Sequence, residues 1–103
     1  MEQELYEECR VDELVEAVLA SGSDYKVVYR VGAPIALELE EATGKVIVTR
    51  GAGALKVGYL SGSHAEGIAV CIRRGCRYRG RIADVALGPG GKVLRLRLDP
   101  PTR

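Results

Sequence analysis

The chain reads as an α+β domain: an N-terminal acidic helix packed on a small, strongly bent, mostly antiparallel β-sheet or barrel of about six to seven strands. Three observations predict this. Residues 2–20 hold good helix formers with no Gly or Pro. From Tyr25 onward the sequence breaks into short β-branched or alternating runs. Gly, Ser and Pro clusters separate those runs by only a few residues, which favours hairpins curling into a small barrel. At 103 residues the chain is a single domain over 1–103, with a helical segment at 1–22 and a β-rich body at 25–99.

In chain order, the first segment has two apolar faces. Leu5, Tyr6 and Cys9 point one way at helical spacing, whereas Val11, Leu14, Val15, Val18 and Leu19 point nearly opposite. A break near Arg10, with Asp12 capping a second helix that ends before Gly22, resolves the conflict. A continuous helix would instead touch another subunit with its first turns. Tyr25–Val31 is an expected strand, interrupted by Gly32–Pro34. Ile35–Glu40 alternates, with Ile35, Leu37 and Leu39 inward and Glu38 and Glu40 outward. After a turn at Glu41–Gly44 the chain returns as Lys45–Arg50.

Gly51-Ala52-Gly53 leads to a short strand at Leu55–Leu60, followed by a Ser61–His64 loop. Ile68–Arg73 is an expected strand, and Arg74-Gly75-Cys76 an expected turn. Arg77–Leu87 is a long strand, Gly88–Gly91 a turn and Lys92–Leu98 the closing strand, ended by Pro100 and Pro101. Ile35-Ala36, Gly44-Lys45-Val46-Ile47 and Arg50 echo Ile82-Ala83, Gly91-Lys92-Val93-Leu94 and Arg97 at a constant offset. Either a duplicated hairpin or two hairpins of similar composition gives that echo, and both readings make the two segments hairpins.

Composition bounds the core and the setting. Phe and Trp are absent, so Val, Leu, Ile, Ala and five tyrosines must fill the interior. Asn is absent and Gln occurs only as Gln3, a depletion of thermolabile amides that fits a thermophile source. No run of 18 apolar residues exists, so no transmembrane helix is expected. The acidic start MEQELYEEC is unlike a secretory signal, which makes cytoplasmic localisation the expectation. Cys9, Cys71 and Cys76 are an odd number, unlike a secreted disulfide framework. Cys71 and Cys76 flank a turn, where they pair with each other or remain buried thiols.

The formal net charge of +1 hides a polarised chain. Residues 1–49 hold eleven acidic and four basic residues, whereas residues 50–103 hold eleven basic and three acidic. Such asymmetry points to an anionic partner for one half or to the halves facing each other. Alternation puts Arg77, Arg79 and Arg81 on one side of their strand, and Arg95 and Arg97 on the matching side of the next, with Arg73 nearby. So many guanidinium groups on one face repel one another and call for a compensating anion. Nucleic acid is one answer, although Tyr78 has the wrong parity to stack bases there. The other is the acidic segment itself, in which Glu2, Glu4, Glu7, Glu8, Asp12, Glu13 and Glu16 would cover the arginines of the same subunit or of a neighbour in a homo-oligomer.

Other motifs carry less chemistry. Neither Gly51-Ala52-Gly53 nor Gly88-Pro89-Gly90-Gly91-Lys92 has phosphate-loop spacing, and neither leads into a helix N-terminus. Both read as turns. His64 is the sole histidine and would need Glu66 or a loop serine to act as a general base. One histidine and three dispersed cysteines make no zinc ligand set, so no metal and no cofactor is expected.

Gly80-Arg81-Ile82-Ala83-Asp84-Val85-Ala86-Leu87, with Pro89, Gly91-Lys92-Val93 and Leu96, resembles the PRC-barrel hairpin. Arg74-Gly75-Cys76-Arg77-Tyr78-Arg79-Gly80-Arg81-Ile82 is similar to the second-strand region of Sm-like proteins. Both are small SH3-like barrels, and the resemblance, confined to residues 69–98, implies that architecture with an adaptor or RNA-associated role. The RNA-contacting Asp and Asn of the Sm-like pattern fall at Ala86 and Gly90, so that site does not carry over. The function expected from these observations is a non-enzymatic binding module using Arg73, Arg77, Arg79, Arg81, Arg95 and Arg97 for nucleic acid or an acidic protein surface. The competing expectations are a homo-oligomeric assembly subunit with internally satisfied arginines, and a small enzyme or ligand-binding protein built on the His64 loop.

Overall fold

Alternation builds most of the molecule. A computed structural model describes residues 8–19, 30–50, 55–88 and 91–102. Its strands are β1 (Val15–Leu19), β2 (Pro34–Glu40), β3 (Lys45–Arg50), β4 (Leu55–Ser61), β5 (Tyr78–Gly88) and β6 (Gly91–Leu98), with one short helix, α1 (Ala65–Arg73), between β4 and β5. Every pairing is antiparallel, and the order β1-β4-β3-β2-β5-β6 closes on itself as a six-stranded barrel. Closure leaves no strand edge unpaired. The interior receives Val15 and Ala17, Ile35 and Leu37, Val46 and Val48, Val57 and Leu60, Tyr78 and Ile82, and Leu94, Leu96 and Leu98. Leu94 and Leu96 are wholly buried, so truncating either to Ala should cost about 2–5 kcal/mol.

Six strands close only if the sheet bends hard. Two glycines permit it. A Cβ on Gly58 would run into the carbonyl oxygen of Val18, and one on Gly80 into that of Arg97. Both face their neighbouring strand so closely that only hydrogen fits. Bulges supply further curvature, between Val48 and Thr49 against β4 and between Ile82 and Asp84 against β6. The buried Thr49 hydroxyl at the first bulge donates to the Ala36 carbonyl at 3.3 Å.

The barrel is as expected from the sequence, but the N-terminal helix is not. Val15–Leu19 is a strand, with Val15 and Ala17 buried and Glu16 and Val18 exposed. Its residues favour helix locally, yet β1 fills the gap between β4 and β6, and the pairings gained there override propensity. Asp12 caps no helix; its carboxylate pairs with Arg10 at 2.8 Å. Of the earlier residues, Glu8 and Cys9 have helical backbone and residues 1–7 lie outside the described part. The expected strand at Tyr25–Val31 lies largely outside it too, and Val31 is in a turn.

The second correction reverses the first. Ile68–Arg73, expected as a strand, belongs to α1, which buries Ile68, Ala69 and Cys71 on one side. Glu66 in its first turn and Arg73 in its last suit the helix dipole. At its end Gly75 has φ +101°, with its N–H donating to the Ile72 carbonyl and that of Cys76 to Cys71. This is a Schellman C-cap, so the glycine read as a hairpin turn instead stops a helix.

Helix α1 sits at the mouth where β2 ends and β3 and β5 begin. There Cys9 and Cys71 are joined by a disulfide, correcting the expectation that Cys71 and Cys76 pair with each other or both remain buried thiols; Cys76 alone is free, and it is buried. The phenol of Tyr78 donates to the Cys9 carbonyl from a position only 1% exposed. Burial, and secondarily the neighbouring Cys76, push the Tyr78 phenol up to about 12. No helix among the described residues is long and apolar enough to cross a membrane.

Candidate functional site

Alternation along β5 turns Tyr78, Gly80 and Ile82 inward and leaves Arg77, Arg79 and Arg81 exposed on the outer surface. Across β6, Arg97 stands directly opposite Arg81. On the other flank, Ala36 and Pro34 of β2 lie opposite Arg79 and Arg81. Their small side chains leave an open groove of about 730 Å³ along β2 and β5, lined by Arg79 and Arg81 of β5, by Arg77 just before it, and by Glu38 and Asp99. The chain beyond β6 borders its lower end. Asp99 N–H donates to the Arg79 carbonyl at 2.8 Å, and Arg77 and Thr102 exchange backbone hydrogen bonds of 2.6 and 3.0 Å.

The six expected arginines divide. Arg77, Arg79, Arg81 and Arg97 share this face, and among the described residues no carboxylate lies within 4.0 Å of them. Arg95 is on the same side of β6 but lies between Glu16, at 3.9 Å, and Asp84, at 3.8 Å. The bulge in β5 after Ile82 brings Asp84 opposite Arg95, which alternation alone would not have indicated. Arg73 does not join the sheet arginines. As part of α1 it lies beside Gly44, lining with Lys45 and Glu66 a separate groove of about 500 Å³ between the helix and the β3–β4 side.

The described part of the acidic segment covers little of the face. Among its described members, Glu16 reaches Arg95, while Glu8 approaches Arg74 at 3.6 Å, Asp12 holds Arg10 and Glu13 faces His64. Glu2, Glu4 and Glu7 lie outside the described residues.

His64 is the residue before α1, and its Nε2 is 3.2 Å from Glu13 Oε2 rather than being coupled to Glu66 or a loop serine. Both side chains are substantially exposed, so the pair contributes little. No group of three or more His, Cys, Asp or Glu able to hold a metal is present among the described residues.

One polar cluster carried no signal in the sequence. Lys56 donates to the Tyr59 hydroxyl and to Glu40, and the Lys56 and Lys45 ammonium groups lie 4.1 and 5.2 Å from the Tyr59 ring centre. The hydrogen bonds from Thr43 and then Lys56 hold the Glu40 carboxyl below its usual range, and the Tyr59 contact chiefly raises Lys56. This cluster straddles β2, β3 and β4, around the barrel from the arginines.

The arrangement suits capture of an anion, with guanidinium groups exposed on rigid strands and no nucleophile among them. No protein-family model, no curated protein and no solved structure matches the chain.

Proposed function

We propose that this protein is a non-enzymatic binding module whose outer barrel face takes up a polyanion, specifically a nucleic acid, on Arg77, Arg79, Arg81 and Arg97. The observation that carries the reading is the facing pair Arg81 and Arg97 within a cluster that has no carboxylate within 4.0 Å among the described residues. Like charges directly opposite on paired strands are destabilising, and a bound phosphate offsets that cost. Arg95, one step along β6, shows what an internally neutralised position looks like.

Fluorescence anisotropy of labelled single-stranded and duplex oligonucleotides tests it. Binding at about 50 mM salt that weakens steeply as salt rises is the expected result. Absence of binding to either at that salt eliminates the proposal.

A second reading, an assembly subunit whose acidic residues satisfy the basic sheet, has the Glu16–Arg95 contact in its favour. It predicts a concentration-dependent solution mass. A mass equal to one chain at every concentration would count against it.

A further inference from the structure

We infer that the polyanion is single-stranded nucleic acid held through its backbone alone, with successive phosphates on Arg77, Arg79 and Arg81; this rests on the arginine-face reading above. Alternate residues of an antiparallel strand stand about 6.8 Å apart, which is the scale of neighbouring phosphates along an extended polynucleotide. Arg79 and Arg81 of β5, with Arg77 just before it, therefore form a track of about 14 Å with one guanidinium per phosphate. Pro34 and Ala36, across the β2–β5 pairing, give an apolar shoulder of low relief where sugars fit, and Arg97 reinforces the Arg81 position from the other side.

Carboxylates bound the track. Beyond Arg81 the bulge leads to Asp84, which with Glu16 already flanks Arg95. Glu38 and Asp99 line the groove beside the arginines. A single strand fits between these acids, whereas the second strand of a duplex would bring phosphates over them. Backbone reading follows from what the groove lacks: Tyr78, the one aromatic residue among those lining it, is turned into the core. With no ring on which a base can stack, the bases point away and sequence is not read.

An acidic peptide has a similar side-chain repeat, but it binds sheets most effectively as an added strand. β5 already has β2 and β6 on its two sides, so that mode is closed.

The test measures anisotropy of labelled twelve-nucleotide oligo-dT, oligo-dA and oligo-dC, a labelled hairpin duplex and a labelled poly-glutamate peptide across a salt series. The three single strands should bind within about threefold of one another and about tenfold more tightly than the duplex. Three to four neutralised phosphates give a log–log salt slope of about −2 to −3. Arg79→Gln should weaken all three strands alike and reduce the slope by about 0.7, while Arg73→Gln, on α1, leaves it unchanged. Circular dichroism confirms that the variants fold.

Duplex binding equal to or tighter than single-strand binding overturns this inference and leaves the nucleic-acid proposal standing. A base preference above about tenfold overturns backbone-only reading. Binding of poly-glutamate with no binding of any oligonucleotide overturns both.

Discussion

Breaking the Cys9–Cys71 bond should lower stability by about 4 kcal/mol at 25 °C. The two cysteines are 62 positions apart, and the loop they close contains β1 to β4. In the chain-entropy account, opening a loop of that length returns roughly 14 cal/mol/K to the unfolded state, which sets the figure at about 4 kcal/mol. The native contacts at the mouth do not depend on the link alone, because Tyr78 still holds the Cys9 carbonyl and Glu8 still approaches Arg74. Reduction therefore acts mainly on the unfolded ensemble. Urea unfolding of the oxidised protein, the same protein in dithiothreitol and a Cys9→Ser/Cys71→Ser variant measures it. With an m-value of about 1.5 kcal/mol per molar urea, the midpoint should fall by roughly 2–3 M, and the reduced form should show the larger m-value. The variant should fall slightly further, since serine puts two hydroxyls where buried sulfur was. Equal midpoints for oxidised and reduced protein would refute the loop-entropy reasoning. Three reactive thiols in the native, unreduced protein, counted by mass spectrometry after alkylation, would refute the bond.

The glycines give opposite expectations from one substitution. Gly58→Ala and Gly80→Ala each force a methyl into a neighbouring backbone and should cost about 3 kcal/mol or more; calorimetry showing no loss would mean that the strands can separate there. Gly67→Ala, at an exposed helical position with nothing within 4 Å, should stabilise by about 0.5–1 kcal/mol in the same experiment. The raised Tyr78 pKa gives a pH signature. Below pH 10 the phenol is neutral in both folded and unfolded chains and its contribution is complete. From pH 10 to about 12 only the unfolded phenol ionises, so stability should decline by about 2–3 kcal/mol. Tyr78→Phe, which forgoes about 1 kcal/mol of hydrogen bonding to Cys9, should lack this component; identical alkaline decline in both proteins would refute it. His64→Gln should change stability by less than about 0.5 kcal/mol, because it removes only an exposed pair with Glu13, and a larger loss in urea unfolding would assign His64 a structural role.

The hairpins were legible because two signals agreed in them. Ile35–Glu40 and Lys45–Arg50 alternate on either side of a glycine turn, and so do Arg77–Leu87 and Lys92–Leu98. Where the signals competed, the sequence misled. Val15–Leu19 contains Glu, Ala and Leu and follows an acidic stretch, so helix propensity concealed a five-residue alternation whose reason is the vacancy between β4 and β6. Ile68–Arg73 looks β-branched and apolar, but Ala65, Ile68, Ala69 and Ile72 fall at helical spacing on the side that meets the core. Gly75, two residues after Arg73, was the available stop mark, whereas the start has no capping signal, since His64 is the N-cap and makes no side-chain cap hydrogen bond. Gly75 was ambiguous because a left-handed residue ends a helix as readily as it turns a hairpin.

Legibility of the arginine face followed the same division. Parity alone placed Arg77, Arg79, Arg81 and Arg97 together and buried Tyr78. Arg73 left the cluster with its helix. Arg95 was neutralised by a bulge and a strand that pairing rules on one hairpin cannot foresee.

The position of β1 has a consequence for how the molecule is made. Val15 and Leu96 are paired neighbours from opposite ends of the described chain, and β1's other partner, β4, ends only at Ser61. During synthesis β1 therefore emerges well before either strand it pairs with, and it is paired on both sides only once β6 has also been made. Until then its inward Val15 and Ala17 lack the Leu96 and Leu94 that stand beside them in the closed barrel. The barrel cannot close gradually from the N-terminus. It closes in one late, non-local step, the kind that folds slowly and leaves apolar strand exposed to other chains while it does so.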